Sequence, residues 1–347
     1  MSIRELTTLN GPSGYEDAVR HYILEKARAV ADDVRVDKLG NVIATKNGEA
    51  ASPKRVMACA HMDEVGFLIT KIDDSGLLRF NTIGGMDDRI LPSQRVLIGT
   101  KAVPGVIGAM PIHLLKPEDI KKPVEQDRMF IDIGATTRDQ AAALVTPGDW
   151  AVFDSGYVEF GDNLIKAKAL DDRAGCSLLL EALTTRRQAT VVAVFSVMEE
   201  IGTVGSAAAA YAVKPDAAVV VEGTTCADMH GVPDHLRITR LGHGPSITTM
   251  DRSAISDRLL RGYLIRQAKE KSIPYQIRGG SMGGTDAGSI AHSRAGVPVV
   301  NISVPCRYIH SPISVMSRED YDNAGRLLDA FLDNIQRELE EASNETR

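Results

Sequence analysis

Cysteine is scarce in this 347-residue sequence, and its four cysteines lie far apart, at positions 59, 176, 226 and 306. No CxxC pair occurs among them. This spacing argues against a disulfide framework and against a structural zinc site built from thiolates. We expect the four thiols to be reduced and mostly buried.

Dense basic runs and long apolar runs are also missing. The 40 lysines and arginines are outnumbered by 46 aspartates and glutamates, which gives a formal net charge of -6. The chain therefore lacks the basic footprint of a protein that binds nucleic acid or an anionic membrane. No stretch approaches the ~20 apolar residues of a membrane span, and the N-terminus lacks the apolar core of a signal peptide. These absences predict a cytoplasmic protein without nucleic-acid or membrane partners.

The hydrophobic pattern indicates an α/β protein of about two domains, since a domain holds roughly 100–200 residues. Four nearly continuous apolar runs are typical of parallel strands buried on both faces: residues 56–60, 190–197, 217–221 and 298–304. Helical periodicity predicts helices over residues 15–31, 172–183, 205–212, 257–271 and 318–342. We therefore predict a mostly parallel sheet with helices on both faces.

Residues 66–160 differ from the rest of the chain in hydrophobic pattern and composition. Apolar and polar residues alternate, as at positions 67–72, glycine and proline are frequent, and helical periodicity is nearly absent. About 95 residues are too many for a compact loop but suffice for a small closed β-barrel. We predict an inserted β-rich domain at residues 66–160, with the α/β domain formed by residues 1–65 and 161–347. The alternative is that this region only adds antiparallel strands to the main sheet.

A histidine and an aspartate follow the first buried run, at His61 and Asp63. Residues two apart on a strand share a face, so Asp63 can accept a hydrogen bond from one imidazole nitrogen and leave the other free for a metal. Taken alone, this pair is weak evidence, because a purely structural histidine explains it equally well.

Polar residues also stand beside the other apolar runs. They are Glu199 and Glu200 after the second run, Glu222 after the third, His310 after the fourth, and Asp171 before a predicted helix. In open α/β sheets the ligand site lies beyond the carboxyl ends of the strands, so these side chains should lie close together. Unrelated surface charges would explain any one of them, but not polar residues at the ends of all four apolar runs together with Asp171.

The residue types at these endings point to metal ions. Imidazole combined with carboxylate suits Zn²⁺, Co²⁺ or Mn²⁺. We take five side chains as the ligands: His61, Asp171, Glu200, Glu222 and His310. Three carboxylates then face two divalent cations, and one bridging hydroxide would neutralise the remaining charge. Metal binding lowers the pKa of water from 15.7 to about 7, which provides a nucleophile at neutral pH. Glu199 remains to act as the catalytic base.

Nine short segments occur in order along nearly the whole chain: GPSGYE (11–16), AHMDEVG (60–66), GGMDDR (84–89), GVIG (105–108), FIDIGA (130–135), KALDDRAG (168–175), MEEIG (198–202), GGTDAG (283–288) and RYIHSP (307–312). Together they resemble the dinuclear metalloaminopeptidases of the tetrahedral (TET) type. That family also carries the names glutamyl aminopeptidase and endoglucanase-like FrvX protein. A collinear set of this kind is far more specific than any single motif.

The resemblance implies a role for each ligand. His61 and Glu222 would bind the first metal ion, Glu200 and His310 would bind the second, and Asp171 would bridge the two. It implies two ions per subunit, Zn²⁺ or Co²⁺, with Mn²⁺ as a third candidate. Many relatives carry aspartate where Glu222 stands, which leaves the denticity of this ligand and the metal preference open.

The resemblance also implies how other residues support the ligands. Glu199 would be the general base, and Asp63 would orient His61. A cis peptide bond would join Asp171 to Asp172. In relatives of this type the inserted domain pairs subunits, and six such dimers close into a hollow dodecamer with inward-facing active sites. We therefore expect a homo-oligomer with a dimer as its building block, and a dodecamer as the complete assembly.

These expectations describe a metal-dependent aminopeptidase that releases N-terminal residues from short peptides through a hydroxide held between two ions. A carboxypeptidase or deacylase on the same dinuclear scaffold is the near alternative. A glycoside hydrolase, which needs two carboxylates and no catalytic metal, is a distant one. A non-catalytic metal-binding or peptide-binding protein is the third class.

Two other features have less specific interpretations. The glycine-rich segment 279–288 lacks the lysine of a phosphate-binding loop, so we expect it to line the substrate cleft. Asp228 either helps to hold a substrate amine or is an ordinary loop residue.

Overall fold

Two β-structures carry the fold: a large mixed sheet and a closed barrel. The structure is a computed structural model that describes residues 3–279 and 283–345. Its strands are β1 Asp33–Val36, β2 Val42–Lys46, β3 Arg55–His61, β4 Gly66–Ile72, β5 Leu78–Ile83, β6 Arg95–Ile98, β7 Val103–Gly108, β8 Phe130–Asp132, β9 Trp150–Phe153, β10 Val158–Phe160, β11 Leu164–Ala167, β12 Thr190–Ser196, β13 Ala217–Thr225, β14 Ser246–Met250, β15 Gln276–Gly279, β16 Val299–Arg307 and β17 Ser314–Ser317. Its helices are α1 Ile3–Thr8, α2 Asp17–Arg28, α3 Arg138–Ala142, α4 Leu170–Ala182, α5 Val204–Val213, α6 Arg258–Glu270, α7 Asp286–Ala291 and α8 Arg318–Glu345. None of these helices combines the length and the apolar composition that a bilayer crossing requires.

The predicted apolar runs form the centre of the large sheet. Strands β12, β3, β13 and β16 lie side by side in that order, and each adjacent pair is parallel. Antiparallel strands flank this centre, with β2 and β1 on one side and β17, β11 and β10 on the other. Strand β14 pairs antiparallel with β16, and β15 pairs parallel with β14. The α/β fold is confirmed, and the parallel centre brings four carboxyl ends to one edge.

Helices cover both faces of the sheet, as the pattern predicts. One face packs Val219 and Ile302 against helices α4, α6 and α8, whose buried residues include Leu179 and Phe331. The other face packs its apolar residues against helices α5 and α7. Because strands buried on both faces must be apolar throughout, the continuous runs in the sequence are explained by this layering.

The inserted barrel is closed and has its own core. Its strands follow the order β4, β5, β8, β7, β6, β9. Phe67 lies at the centre, edge-on to Phe80 and Phe153, with ring centroids 5.2 and 5.1 Å away. The last barrel strand ends at Phe153, and β10 pairs with β11 in the large sheet. The chain thus returns to the large sheet before residue 160, because residues 158–166 form a hairpin there.

A buried ionic cluster joins the N-terminal segment to the centre of the molecule. The Glu64 carboxylate lies 2.6 Å from Lys168 Nζ and 3.3 Å from Arg173 Nη2. The Arg173 guanidinium, which is fully buried, also donates to the carbonyl oxygens of Leu6 and Leu9, at 2.7 and 3.0 Å. These bonds satisfy a cation that could not otherwise remain in an apolar interior.

Candidate metal centre

The predicted ligands meet at the carboxyl edge of the parallel strands. His61 is the last residue of β3, and Glu222 lies within β13. Glu200 follows β12, His310 follows β16, and Asp171 lies at the start of α4. The peptide bond between Asp171 and Asp172 is cis, as the resemblance implies.

Asp171 lies between the two imidazoles. Its Oδ1 atom is 3.5 Å from Nε2 of His61, and its Oδ2 atom is 3.4 Å from Nε2 of His310. The same nitrogen of His310 is 3.3 Å from Oε2 of Glu200. One carboxylate therefore offers a separate oxygen to each histidine, which is the arrangement a bridging ligand needs.

Two overlapping groups of donor atoms are close enough to hold an ion. His61, Asp171 and Glu200 form one group, with donor atoms within 4.8 Å of one another. His61, Glu199 and Glu222 form the other, within the same limit. Glu199 thus lies close enough to the other candidates to be a direct ligand itself, since its Oε2 atom is 4.0 Å from Nε2 of His61. This position suits either a base beside an ion or a ligand.

Two unpartnered atoms show that these residues fit a metal. Nε2 of His61 and Oε2 of Glu222 are buried, and neither has a hydrogen-bond partner in the part of the chain that the structure describes. Buried polar atoms are normally hydrogen-bonded, so two unpartnered atoms beside several carboxylates indicate that a further group binds here. A divalent cation supplies that partner and also the positive charge that the carboxylates lack.

The pKa values describe the same shortage of positive charge. Burial raises the pKa of Glu199 and Glu222 well above the usual range, and that of Glu200 to about 7. Burial also acts to raise the pKa of Asp171, but the nearby imidazoles of His310 and His61 hold that pKa below its usual range. Burial opposes protonation of His310, yet Asp171 raises the pKa of that imidazole to about 9.

Asp63 contacts both the first histidine and the turn after β12. Its Oδ1 atom is 3.4 Å from Nδ1 of His61, and that nitrogen is also 3.2 Å from the Asp63 carbonyl oxygen. Its carboxylate accepts the backbone N–H groups of Glu199 and Glu200, at 3.0 and 3.1 Å, and the Ser13 hydroxyl at 2.6 Å. Asp63 can therefore fix the His61 ring and the two glutamates together.

Several supporting contacts could not be predicted from patterns in the sequence. The Asp172 carboxylate accepts the backbone N–H of His61 at 3.2 Å, and the Gly85 carbonyl oxygen lies 2.9 Å from Nδ1 of His310. The Asp286 carboxylate accepts the hydroxyls of Ser196 and Ser206, each at 2.6 Å. Gly85 and Asp286 lie in segments that carry the family resemblance, and that resemblance was the only indication of their role in the sequence.

Asp228 is already occupied by other groups. Its two oxygens accept a pair of hydrogen bonds from the Arg307 guanidinium, at 2.5 and 2.8 Å, and one of them also accepts the Leu241 N–H at 3.1 Å. This pairing explains Asp228 as a loop residue and removes the reason to assign it a substrate amine. Within the glycine-rich segment, residues 280–282 lie outside the described residues.

Seven buried polar atoms that have no hydrogen-bond partner among residues 3–279 and 283–345 share the sheet face of Glu222. They are Oε2 of Glu222, Oγ1 of Thr224, Oγ of Ser246, Oγ1 of Thr248, Nε of Arg278, Oδ1 of Asn301 and Oγ of Ser303. The ladders place Glu222 opposite Ser303, Ser303 opposite Ser246, and Thr248 opposite Arg278. This polar face can still bond to polar groups of a ligand or to ordered water.

Known proteins are similar to this chain in sequence and in fold. A sequence profile described as M42 glutamyl aminopeptidase matches residues 40–327. The lysyl aminopeptidase of Pyrococcus furiosus is 32% identical over 94% of this chain and 94% of its own length. A TET aminopeptidase from a marine sediment archaeon, Thaumarchaeota archaeon SCGC AB-539-E09, superposes with a TM-score of 0.93 at 38% identity, covering 98% of this chain and 97% of that one. The Pyrococcus horikoshii TET1 peptidase, which can assemble into a tetrahedron or a large octahedral shell, gives a TM-score of 0.84 at 34% identity, covering 96% and 99%.

Proposed function

We propose that this chain, which belongs to the M42 glutamyl aminopeptidase family and is an aminopeptidase, uses two divalent metal ions to remove N-terminal residues from short peptides. The observation that carries the proposal is Asp171, whose two oxygens face the two histidines at 3.5 and 3.4 Å. His61 and Glu222 would hold one ion with Asp171, and Glu200 and His310 would hold the other. Zn²⁺ or Co²⁺, or Mn²⁺ as a third candidate, would polarise the scissile carbonyl and lower the pKa of water when bound.

The protein's own groups would bind the substrate and move the proton. Glu199, whose Oε2 atom lies 4.0 Å from Nε2 of His61, would accept a proton from the attacking water and pass it to the leaving amine. Asp63 would keep Nδ1 of His61 protonated and Nε2 free for the ion. The positive α-amine of a peptide would lie near the buried carboxylates, which restricts cleavage to the free N-terminus.

Peptides with opposite blocked ends test this direction of cleavage. We expect the metal-loaded protein to cleave a peptide amide with a free N-terminus and to leave its N-acetylated counterpart intact. A second peptide of the same sequence carries an N-acetyl group and a free C-terminal carboxylate, and its cleavage from that C-terminus would make the protein a carboxypeptidase. Full activity after exhaustive chelation, with no metal detected by mass spectrometry, would reject the metal-dependent reaction.

The barrel offers a surface for the assembly of subunits. Met110, Ile112 and Leu114 are 56%, 65% and 64% exposed, which is unusual for three large apolar residues so close in sequence. The P. horikoshii relative forms closed shells. We infer that the inserted region predicted at residues 66–160, whose barrel ends at Phe153, is the dimerisation domain and that the dimers build a dodecamer, in keeping with the closed symmetry of most homo-oligomers.

A further inference from the structure

A carbonyl group of the barrel fixes the imidazole of His310. Nδ1 of His310 lies 2.9 Å from the carbonyl oxygen of Gly85. A carbonyl oxygen can only accept, so Nδ1 carries a proton, and in the neutral imidazole the lone pair that could bind a metal ion is therefore on Nε2. That Nε2 atom is the one that faces Asp171 and Glu200, at 3.4 and 3.3 Å.

His310 needs this restraint more than His61 does. The His61 side chain is 2% exposed and is held by packing, whereas the His310 side chain is 36% exposed. His310 also adopts a left-handed backbone conformation, with φ of 56°. An exposed side chain on such a backbone depends on a specific hydrogen bond to keep its ring in one orientation.

The neighbouring glycine packs against the other predicted ligand of the second ion. Gly84 directly follows barrel strand β5 and has φ of 82°. A Cβ atom placed there would lie 2.9 Å from Cγ1 of Val65, 3.3 Å from Cβ of Glu200 and 3.4 Å from its Oε2. A side chain at position 84 would therefore clash with Val65 and press on Glu200, which would have to shift by a few tenths of an ångström.

We propose that Gly84 and Gly85, the diglycine segment, are positioning residues of the second metal site: Gly85 orients His310, and Gly84 leaves the space that Glu200 occupies. The barrel then has a role within the catalytic centre as well as in assembly. This inference rests on the proposed function for the identity of the ions.

The test compares two glycines of the barrel with the same backbone strain. Gly84 and Gly134 have φ of 82° and 79°, but a Cβ atom at Gly134 would meet nothing within 4 Å. Alanine costs about 1–2 kcal/mol at either position because of its left-handed backbone. Only Gly84→Ala adds the contacts with Val65 and Glu200.

Metal binding is the readout. Isothermal titration of metal-free protein with Co²⁺ gives the affinity of each ion, and mass spectrometry after dialysis counts the ions retained. We expect Gly84→Ala to weaken the second ion by about 10–100-fold, the usual effect of disturbing groups that orient metal ligands, and to leave the first unchanged. Gly134→Ala should bind both ions as wild type does. Equal binding by the two variants would overturn the proposal.

Two further measurements keep the result decisive. If Gly84→Ala does not fold, the double variant Val65→Ala/Gly84→Ala removes the 2.9 Å contact and keeps those with Glu200. It should still lose the second ion selectively, and retention of both ions at wild-type affinity would reject the inference. Wild-type protein that binds no divalent ion would refute the proposed function itself. If the wild-type protein binds two ions and cleaves peptides, and Gly84→Ala and Gly134→Ala bind both ions with wild-type affinity, only the role of the diglycine segment is refuted.

Discussion

Replacing Glu199 with glutamine separates a base from a ligand. Glutamine has the same shape as glutamate, and the backbone N–H of residue 199 remains bonded to Oδ1 of Asp63 at 3.0 Å. The Glu199 side chain is farther from Nε2 of His61 than the Asp171 carboxylate is, at 4.0 against 3.5 Å. This geometry predicts that Glu199→Gln keeps both ions and removes the group that accepts the proton.

The expected loss follows from the size of general-base catalysis. A positioned base contributes about 10²–10⁴-fold to the rate. Since each tenfold corresponds to about 1.36 kcal/mol of barrier, kcat should fall by at least ~10²-fold, or roughly 2.7 kcal/mol. KM should change little, because the base acts on the water and not on the bound peptide.

The assay measures kcat on an aminoacyl chromogenic substrate and the metal content of the same sample. Glu222→Gln is the control for a ligand, and it should lose one ion together with its activity. If Glu199→Gln loses as much metal as Glu222→Gln does, Glu199 is a ligand and the proposed division of roles is wrong. A variant with full metal and nearly full kcat would show that another group takes the proton.

Three other outcomes are expected. Burial acts to raise the pKa of Asp228, but Arg307 lowers it to about 2, so the folded-state value lies below the unfolded value of 3.8. The ion pair therefore stabilises the protein fully above about pH 4, and the difference in urea unfolding free energy between wild type and Asp228→Asn should shrink as the pH falls from 4 towards 2; a constant difference would contradict this sign. Arg278 is 5% exposed and has no ion-pair partner among the described residues. Replacing it with methionine should therefore raise the unfolding free energy by about 1–3 kcal/mol. A loss of stability in thermal or urea unfolding would show that the guanidinium has a partner. Light scattering of the metal-loaded protein should give a mass near twelve times 37.4 kDa. The mass of a dimer would reject only the dodecamer, whereas the mass of a monomer would reject the role of the barrel in assembly.

The sequence predicted those features that depend on local patterns. Continuous apolar runs marked the parallel strands, and the polar residues at their ends marked one shared edge, because both signals lie within a few residues of each other. The contact between His310 and Gly85 joins residues that are 225 positions apart. No periodicity carries information about such a pair, since it depends on where the barrel docks on the sheet. Strands β14 and β15 were also not predicted, because their alternation of polar and apolar residues spans only four or five positions.

The pairing of Arg173 with Glu64 and the N-terminal segment bears on how the protein can be handled and degraded. A protease that cut near residue 11, or an affinity tag that displaced helix α1, would remove the carbonyl oxygens at Leu6 and Leu9. Arg173 would keep its ion pair with Glu64 but lose two buried hydrogen bonds, and each unsatisfied buried group costs about 1–3 kcal/mol. Arg173 stands two residues after Asp171, so such damage would reach the catalytic edge. Molecules nicked in this segment should therefore fail as enzymes before they unfold, and N-terminal integrity should be verified before any low activity is attributed to the metal.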